Sequence, residues 1–299
     1  MRETTPIVRP PAVVGTFYPD DPAELAAMVD GYLARAAIEP RAAGPLPKAI
    51  IAPHAGYIYS GPVAATAYAH LAAARERINR VVLIGPAHYV PVRGLAVSSA
   101  VAFATPLREV PVDRAAIERL RTLPQILLSD AAHRREHSLE VQLPFLQRLL
   151  RRFAVVPLLA GDATYEEVRE VIEFLWGGPE TLMLISSDLS HYHDYGTARR
   201  LDAATAKAIE ALKPEDIGEE RACGRIPIGG PPQGRARQGP RCRHRRPAQL
   251  RRHLRCRRRG CGLRRVPVQR RAGGANYAPA IWLIFAAMMK SFSCRPLIL

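Results

Sequence analysis

The stretch Ala49-Ile50-Ile51-Ala52-Pro53-His54-Ala55-Gly56 decides the fold. Four apolar residues stop at a proline, and a histidine follows between small, turn-forming neighbours. Such a short run bounded by Pro and Gly reads as a buried strand. The pattern returns at Val81-Val82-Leu83-Ile84 before Gly85-Pro86-Ala87-His88. It returns again at Leu182-Met183-Leu184-Ile185 before Ser186-Ser187-Asp188-Leu189-Ser190-His191. In an open α/β sheet, the crevice past the carboxyl ends of the strands is where ligands bind. Three histidines in that position predict one imidazole-lined crevice. Neutral imidazole is both a common metal ligand and a general base near neutral pH.

The segments between these strands read as helices and further short strands. Asp21, Pro22 and Glu24 form an N-terminal helix signal, and Leu25, Met28, Val29, Tyr32, Leu33 and Ala36 follow at helical spacing. Residues 40–47 read as a linker and Gly61–Ala74 as a helix. Leu95–Ser98 reads as a short strand, and Asp113 caps a helix to Leu123. His137–Arg152 reads as an amphipathic helix interrupted at Pro144. Val155–Leu159 reads as a strand at a sheet edge, because Pro157 cannot donate to a ladder. Thr164–Trp176 and Thr197–Leu212 are the remaining helices. Strands alternating with helices predict an α/β fold, a layered sheet flanked by helices.

The net charge of +16 suggests a nucleic-acid partner, but its distribution argues otherwise. Residues 1–229 hold 25 Lys and Arg against all 27 Asp and Glu, a net of −2; residues 230–299 hold the other 18 Lys and Arg. The chain therefore divides into a domain over 1–230 and an Arg-rich, irregular tail over 231–299. One reading of the tail is a basic disordered arm for nucleic acid. It has no aromatic residues interleaved with its arginines, which disfavours a stacking role. The preferred reading is out-of-frame translation of a GC-rich gene. Shifted by one base, with permitted synonymous codons, Pro231–Arg255 re-reads as an amphipathic helix, a glycine stop and an alternating strand. The DNA across the codons for Ile228–Gln233 decides between the two. Cys242, Cys256 and Cys261 with His244 and His253 contain no CxxC pair and match no common zinc finger. Ala278–Met289 falls short of the roughly 20 residues needed to span a bilayer. Met1–Pro11 lacks the apolar core of a signal peptide. A single cysteine, Cys223, in the acid-balanced part fits a reducing, cytoplasmic setting.

Each candidate site residue has a plain structural alternative. Asp188, three residues before His191, either orients an imidazole and shares its protons or caps the following helix. His137 and Glu140, in Glu136-His137-Ser138-Leu139-Glu140, would share a helix face. They form either a supporting pair behind the site or an ion pair facing solvent. Cys223, in Cys223-Gly224-Arg225-Ile226-Pro227-Ile228-Gly229, is either an inert buried hydrophobe or a thiolate ligand. His70, His133 and His193 lack a comparable setting and are treated as structural or surface residues.

Taken in order, these motifs resemble the Memo family across about residues 11–230. Its bacterial and archaeal members are called AmmeMemoRadiSam system protein B, and that name implies an AMMECR-like protein and a radical SAM protein as partners. The resemblance implies a fold like that of class III extradiol ring-cleavage dioxygenases, which hold non-heme iron with two His and a Glu. In the Memo pattern a cysteine takes the third position. His54, His88 and Cys223 are then the expected ligands of one iron or copper ion, with Asp188 and His191 as catalytic residues beside them. Two nitrogens and a sulfur form a softer set than two His and a carboxylate, which favours copper. The expected function is a metal-binding, dioxygenase-like protein with redox chemistry. The alternatives are a non-catalytic module holding a peptide or partner in the same crevice, and nucleic-acid binding through the tail. Family members continue after the CGRxPIG motif into a helix and a strand, which this chain lacks as written.

Overall fold

A computed structural model describes residues 6–36, 46–218 and 220–231. In chain order the elements are β1 (Val8–Arg9), α1 (Pro22–Arg35), β2 (Ala49–Ala52), α2 (Tyr57–Ala69), β3 (Arg80–Pro86), β4 (Leu95–Val97), β5 (Ala102–Ala104) and β6 (Glu109–Pro111). Then follow α3 (Arg114–Leu120), β7 (Ile126–Leu128), α4 (Asp130–Arg134), α5 (Leu143–Leu149), β8 (Ala154–Ala160), α6 (Tyr165–Leu175), β9 (Thr181–Ser186), α7 (Tyr195–Glu210) and α8 (Arg225–Gly229). The Arg-rich tail beyond Pro231, with its Cys and His residues and the 278–289 segment, lies outside the described residues, as does most of the expected linker.

The architecture is α/β, with two sheets flanked by helices. The larger sheet has the order β2-β9-β3-β8-β4-β7. β2, β9, β3 and β8 run parallel, with Ile51 and Ile84 both registered on Ile185. These strands are apolar on both faces, as parallel strands covered by helices must be. The three strands that end in a histidine motif are therefore neighbours, and parallel pairing puts their carboxyl ends at one edge of the sheet. The smaller sheet, β1-β5-β6, carries Arg9 into the interior.

Local signals account for several helix starts. Asp21 accepts the Glu24 N–H at 2.8 Å, and Leu25 and Val29 are fully buried. Asp113 accepts the Ala116 N–H, and Thr164 with Glu167 closes a capping box on α6.

Elsewhere tertiary contacts moved the boundaries. β8 is an interior strand, not an edge. Its proline is tolerated because β4 registers only with Leu159 and Ala160, so no residue of β4 stands opposite Pro157. α2 begins at Tyr57, ahead of the expected Gly61. The Tyr57 N–H donates to Phe17 O at 2.8 Å and its hydroxyl to Val141 O at 2.7 Å, which draws the helix start back. Pro144 does not interrupt a helix from His137; it lies in the first turn of α5, where a missing N–H costs nothing. α7 starts at Tyr195, capped by Asp194.

His133 is buried in α4. Its Nε2–H donates to Ala96 O at 3.2 Å, and Nδ1 has no partner. Burial pushes its pKa down to about 4 from an ordinary 6.5. Between those values the unfolded chain takes up a proton that the folded chain refuses. Stability should therefore fall as pH drops from 6.5 to 4, by about 3 kcal/mol from this residue. His133→Gln, whose amide can still reach Ala96 O, should flatten the acid limb of a plot of denaturation midpoint against pH. An unchanged acid limb would show that another group controls it.

Candidate metal centre

His54 stands just beyond β2, and its ring is almost fully buried. Its Nδ1 lies 2.8 Å from Ser186 Oγ at the end of β9. The Ser186 hydroxyl proton is committed to Ser138 O at 2.5 Å, and Ser186 Oγ also accepts Gln142 Nε2–H at 2.9 Å. Gln142 is itself oriented: its Oε1 accepts the Tyr68 hydroxyl, and its amide also donates to Pro53 O. Ser186 has no proton left for His54, so Nδ1 must carry one. That leaves Nε2 to face the crevice.

His88 stands just beyond β3 and is held by a carboxylate. Glu136 Oε1 lies 2.9 Å from His88 Nδ1, and Oε2 accepts the His88 N–H at 2.7 Å. Glu136 Oε1 also accepts the Ser138 N–H at 2.9 Å. Burial alone would raise the Glu136 pKa, but its bonds from His88 bring it down to about 2. A carboxylate on Nδ1 directs Nε2 outward and raises its basicity. Gly85 makes this approach feasible: a Cβ there would lie 2.7 Å from Ser138 Oγ, too close for the Glu136–Leu139 segment to cover β3.

Cys223 enters from the segment before α8. Its Sγ is 3.3 Å from His54 Nε2 and accepts the Asp188 N–H at 3.2 Å. Gly224 permits the close pass, since a Cβ there would sit 2.6 Å from Ser187 Cβ. Burial pushes the thiol up, but His54 and His88 outweigh it and bring the pKa down to about 6. The His88 imidazole shows the reciprocal effect. Burial lowers its pKa, yet Cys223 and Glu136 raise it to about 10. Near neutral pH the pair is a thiolate and an imidazolium.

Asp188 ties these pieces together. Its Oδ1 accepts the His54 N–H at 2.7 Å, and its Oδ2 lies 3.9 Å from His54 Nε2 and 3.6 Å from His191 Nε2. It does not cap α7, because Asp194 does. Burial opposes its ionisation, but His191 and His54 hold its pKa at about 2. His191 is 44% exposed at the rim, and its pKa is raised by Asp188.

One ligand atom each from His54, His88 and Cys223 lie within 4.8 Å of one another. A metal with bonds of about 2.0–2.3 Å needs its ligands roughly 3.3–3.8 Å apart, so a small inward rotation closes the set. The His54 and His88 rings meet edge-on at 74°, which lets their in-plane lone pairs converge. His88, Glu136 and His137 form a second close group, but the His88 and His137 rings stack at 16° with centroids 4.8 Å apart. Lone pairs in nearly parallel planes do not meet at one point, so this group fits a metal poorly.

His137 therefore sits against the site as a stacked, partly buried imidazole, with its pKa pushed down to about 4, mainly by desolvation. Phe17 packs on it at 4.9 Å. The expected pairing of His137 with Glu140 on a helix face is not present, because residues 135–139 are not helical. Glu140 instead turns to the N-terminal segment, where it accepts Arg9, the Ala12 and Val13 N–H groups and the Tyr18 hydroxyl. Sequence reasoning missed Glu136, Ser186 and Gln142. Glu136 stood within the quoted motif, beside His137, but a helical period pointed past it.

The family model for Memo-like proteins matches residues 9–230. The chain belongs to the Memo family. A MEMO1 family protein of Aquifex aeolicus is 39% identical over 217 residues, covering 70% of this chain and 77% of the relative. One from Ignicoccus hospitalis is 37% identical over 232 residues, covering 71% and 79%. One from Methanocaldococcus jannaschii is 34% identical over 229 residues, covering 71% and 79%. The Memo match contains all the residues of the centre and ends at residue 230, so the Arg-rich stretch lies beyond it. Among the described residues no helix is long and apolar enough to cross a membrane.

Proposed function

We propose that this Memo-family chain binds one iron or copper ion through His54 Nε2, His88 Nε2 and Cys223 Sγ, and serves redox chemistry there. The observation that carries the reading is the anchored Nδ1 of both histidines. Each is already occupied, His54 by Ser186 and His88 by Glu136, so both Nε2 atoms face Cys223. Metal-ligating imidazoles are typically held in this way. A thiolate beside two imidazoles suits iron and copper better than hard cations. Such an ion would supply electron transfer and polarise a bound ligand. The protein's own contribution is proton management. Asp188 stays ionised beside His54 and His191, and the exposed His191, made more basic by Asp188, can exchange protons with solvent at the rim.

The test is a titration of the metal-free protein with Co(II). At pH 8 Cys223 is already a thiolate and His88 still holds a proton, from pKa values of about 6 and about 10. Uptake of one ion should give a thiolate-to-cobalt charge-transfer band and release about one proton, read by calorimetry in buffers of different ionisation enthalpy. Affinity should rise from pH 5 to pH 8 as the thiol ionises. A stoichiometry near zero, or binding without the thiolate band, would overturn the assignment. Turnover of a catechol with added Fe(II) separates an enzyme from a module that only binds.

A further inference from the structure

We propose that the buried Arg9–Glu140 pair is a brace that positions His88, acting through Glu136. Arg9 is the last residue of β1 and is only 5% exposed. Its pairing with Phe103 on β5 places it under the segment that joins α4 to α5. There its guanidinium spans three partners. Nε donates to His133 O at 3.0 Å, Nη2 to Glu136 O at 2.6 Å, and Nη1 to the Glu140 carboxylate. The planar fork grips the peptide of Glu136 while the Glu136 side chain grips His88 at both its N–H and Nδ1. Glu140 completes the frame. It is fully buried and receives Arg9, two backbone N–H groups and the Tyr18 hydroxyl. The segment it anchors carries Phe17, which packs on His137.

None of these groups faces the crevice, so Arg9 and Glu140 are positioning residues. Arg9 reaches His88 through the Glu136 peptide, and that defined route makes its effect measurable. Arg9→Lys keeps a cation for Glu140 but lacks the fork that reaches His133 O and Glu136 O. In metal-free protein with 15N-labelled histidine, the His88 Nδ1 proton on Glu136 should give a downfield resonance. That resonance should move upfield or vanish in Arg9→Lys. The second arm rests on the metal reading above: Co(II) affinity should fall about tenfold in Arg9→Lys, at the low end for residues behind a ligand. In a Glu136→Gln background the same substitution should change affinity less than twofold, because its route is already cut. Glu140→Gln, which loosens Arg9 without removing it, should give the same two readings if Arg9→Lys does not fold. An unmoved ring proton in a folded variant would overturn the brace, and so would fully additive effects in the cycle. If wild-type protein binds no Co(II), the metal reading fails alone, and the ring proton still decides the brace.

Discussion

Replacing Cys223 with serine is expected to strip the protein of bound metal. The Cys223 thiol ionises at about pH 6, between His54 and His88 and against the Asp188 N–H. A serine hydroxyl does not ionise near neutral pH and is a poor ligand for soft metals. Loss of a direct ligand should exceed the 10–100-fold typical of its supporting partners, so at least about a 100-fold drop in affinity is expected. His54→Ala should act alike, since it removes the Nε2 ligand atom together with the Nδ1–H that Ser186 Oγ accepts. Elemental analysis of purified wild-type protein and both variants reads the result directly. Unchanged metal content in both variants would rule the centre out. The fold should survive Cys223→Ser, because the side chain is only partly buried and the volume change is small.

Glu140→Ala is expected to destabilise the chain by about 3–5 kcal/mol, the range for breaking a buried ion pair from one side. The substitution leaves the Arg9 cation buried and takes the acceptor from the Ala12 and Val13 N–H groups and the Tyr18 hydroxyl. Orphaned buried donors add their own desolvation cost. Chemical denaturation of wild type and variant would show the difference as a shift in midpoint at constant slope. A loss below about 1 kcal/mol would mean that water reaches the pair, and that the N-terminal segment is held by other contacts.

Much of the fold was legible because it depends on short-range pattern. The apolar runs before His54, His88 and Ser186 are buried on both faces whatever their neighbours, so their composition alone identified interior strands. The caps at Asp21, Asp113 and Thr164 bond to N–H groups three residues on, and that distance is set within one turn of chain. The reading faltered where a local rule met a distant partner. Pro157 looked like an edge residue, yet its strand is interior, because β4 pairs with β8 beyond the proline, at Leu159 and Ala160. Residues 137–140 looked helical, yet Glu140 is drawn to Arg9 and Tyr18 across more than 120 positions.

The sequence by itself determined that three histidines follow three buried strands, and that a cysteine bearing the family's motif follows later. Parallel pairing then made a common edge unavoidable. Which atoms face one another was decided only by the tertiary structure. Glu136 supports His88 because Gly85 has no side chain to keep the Ser138 segment away, and Cys223 reaches His54 because Gly224 lies flush against Ser187. His137 became a stacked wall rather than a ligand because its ring lies nearly parallel to that of His88. Such choices turn on close approaches and ring orientations between residues far apart in the chain, and neither is encoded in the spacing of residue types.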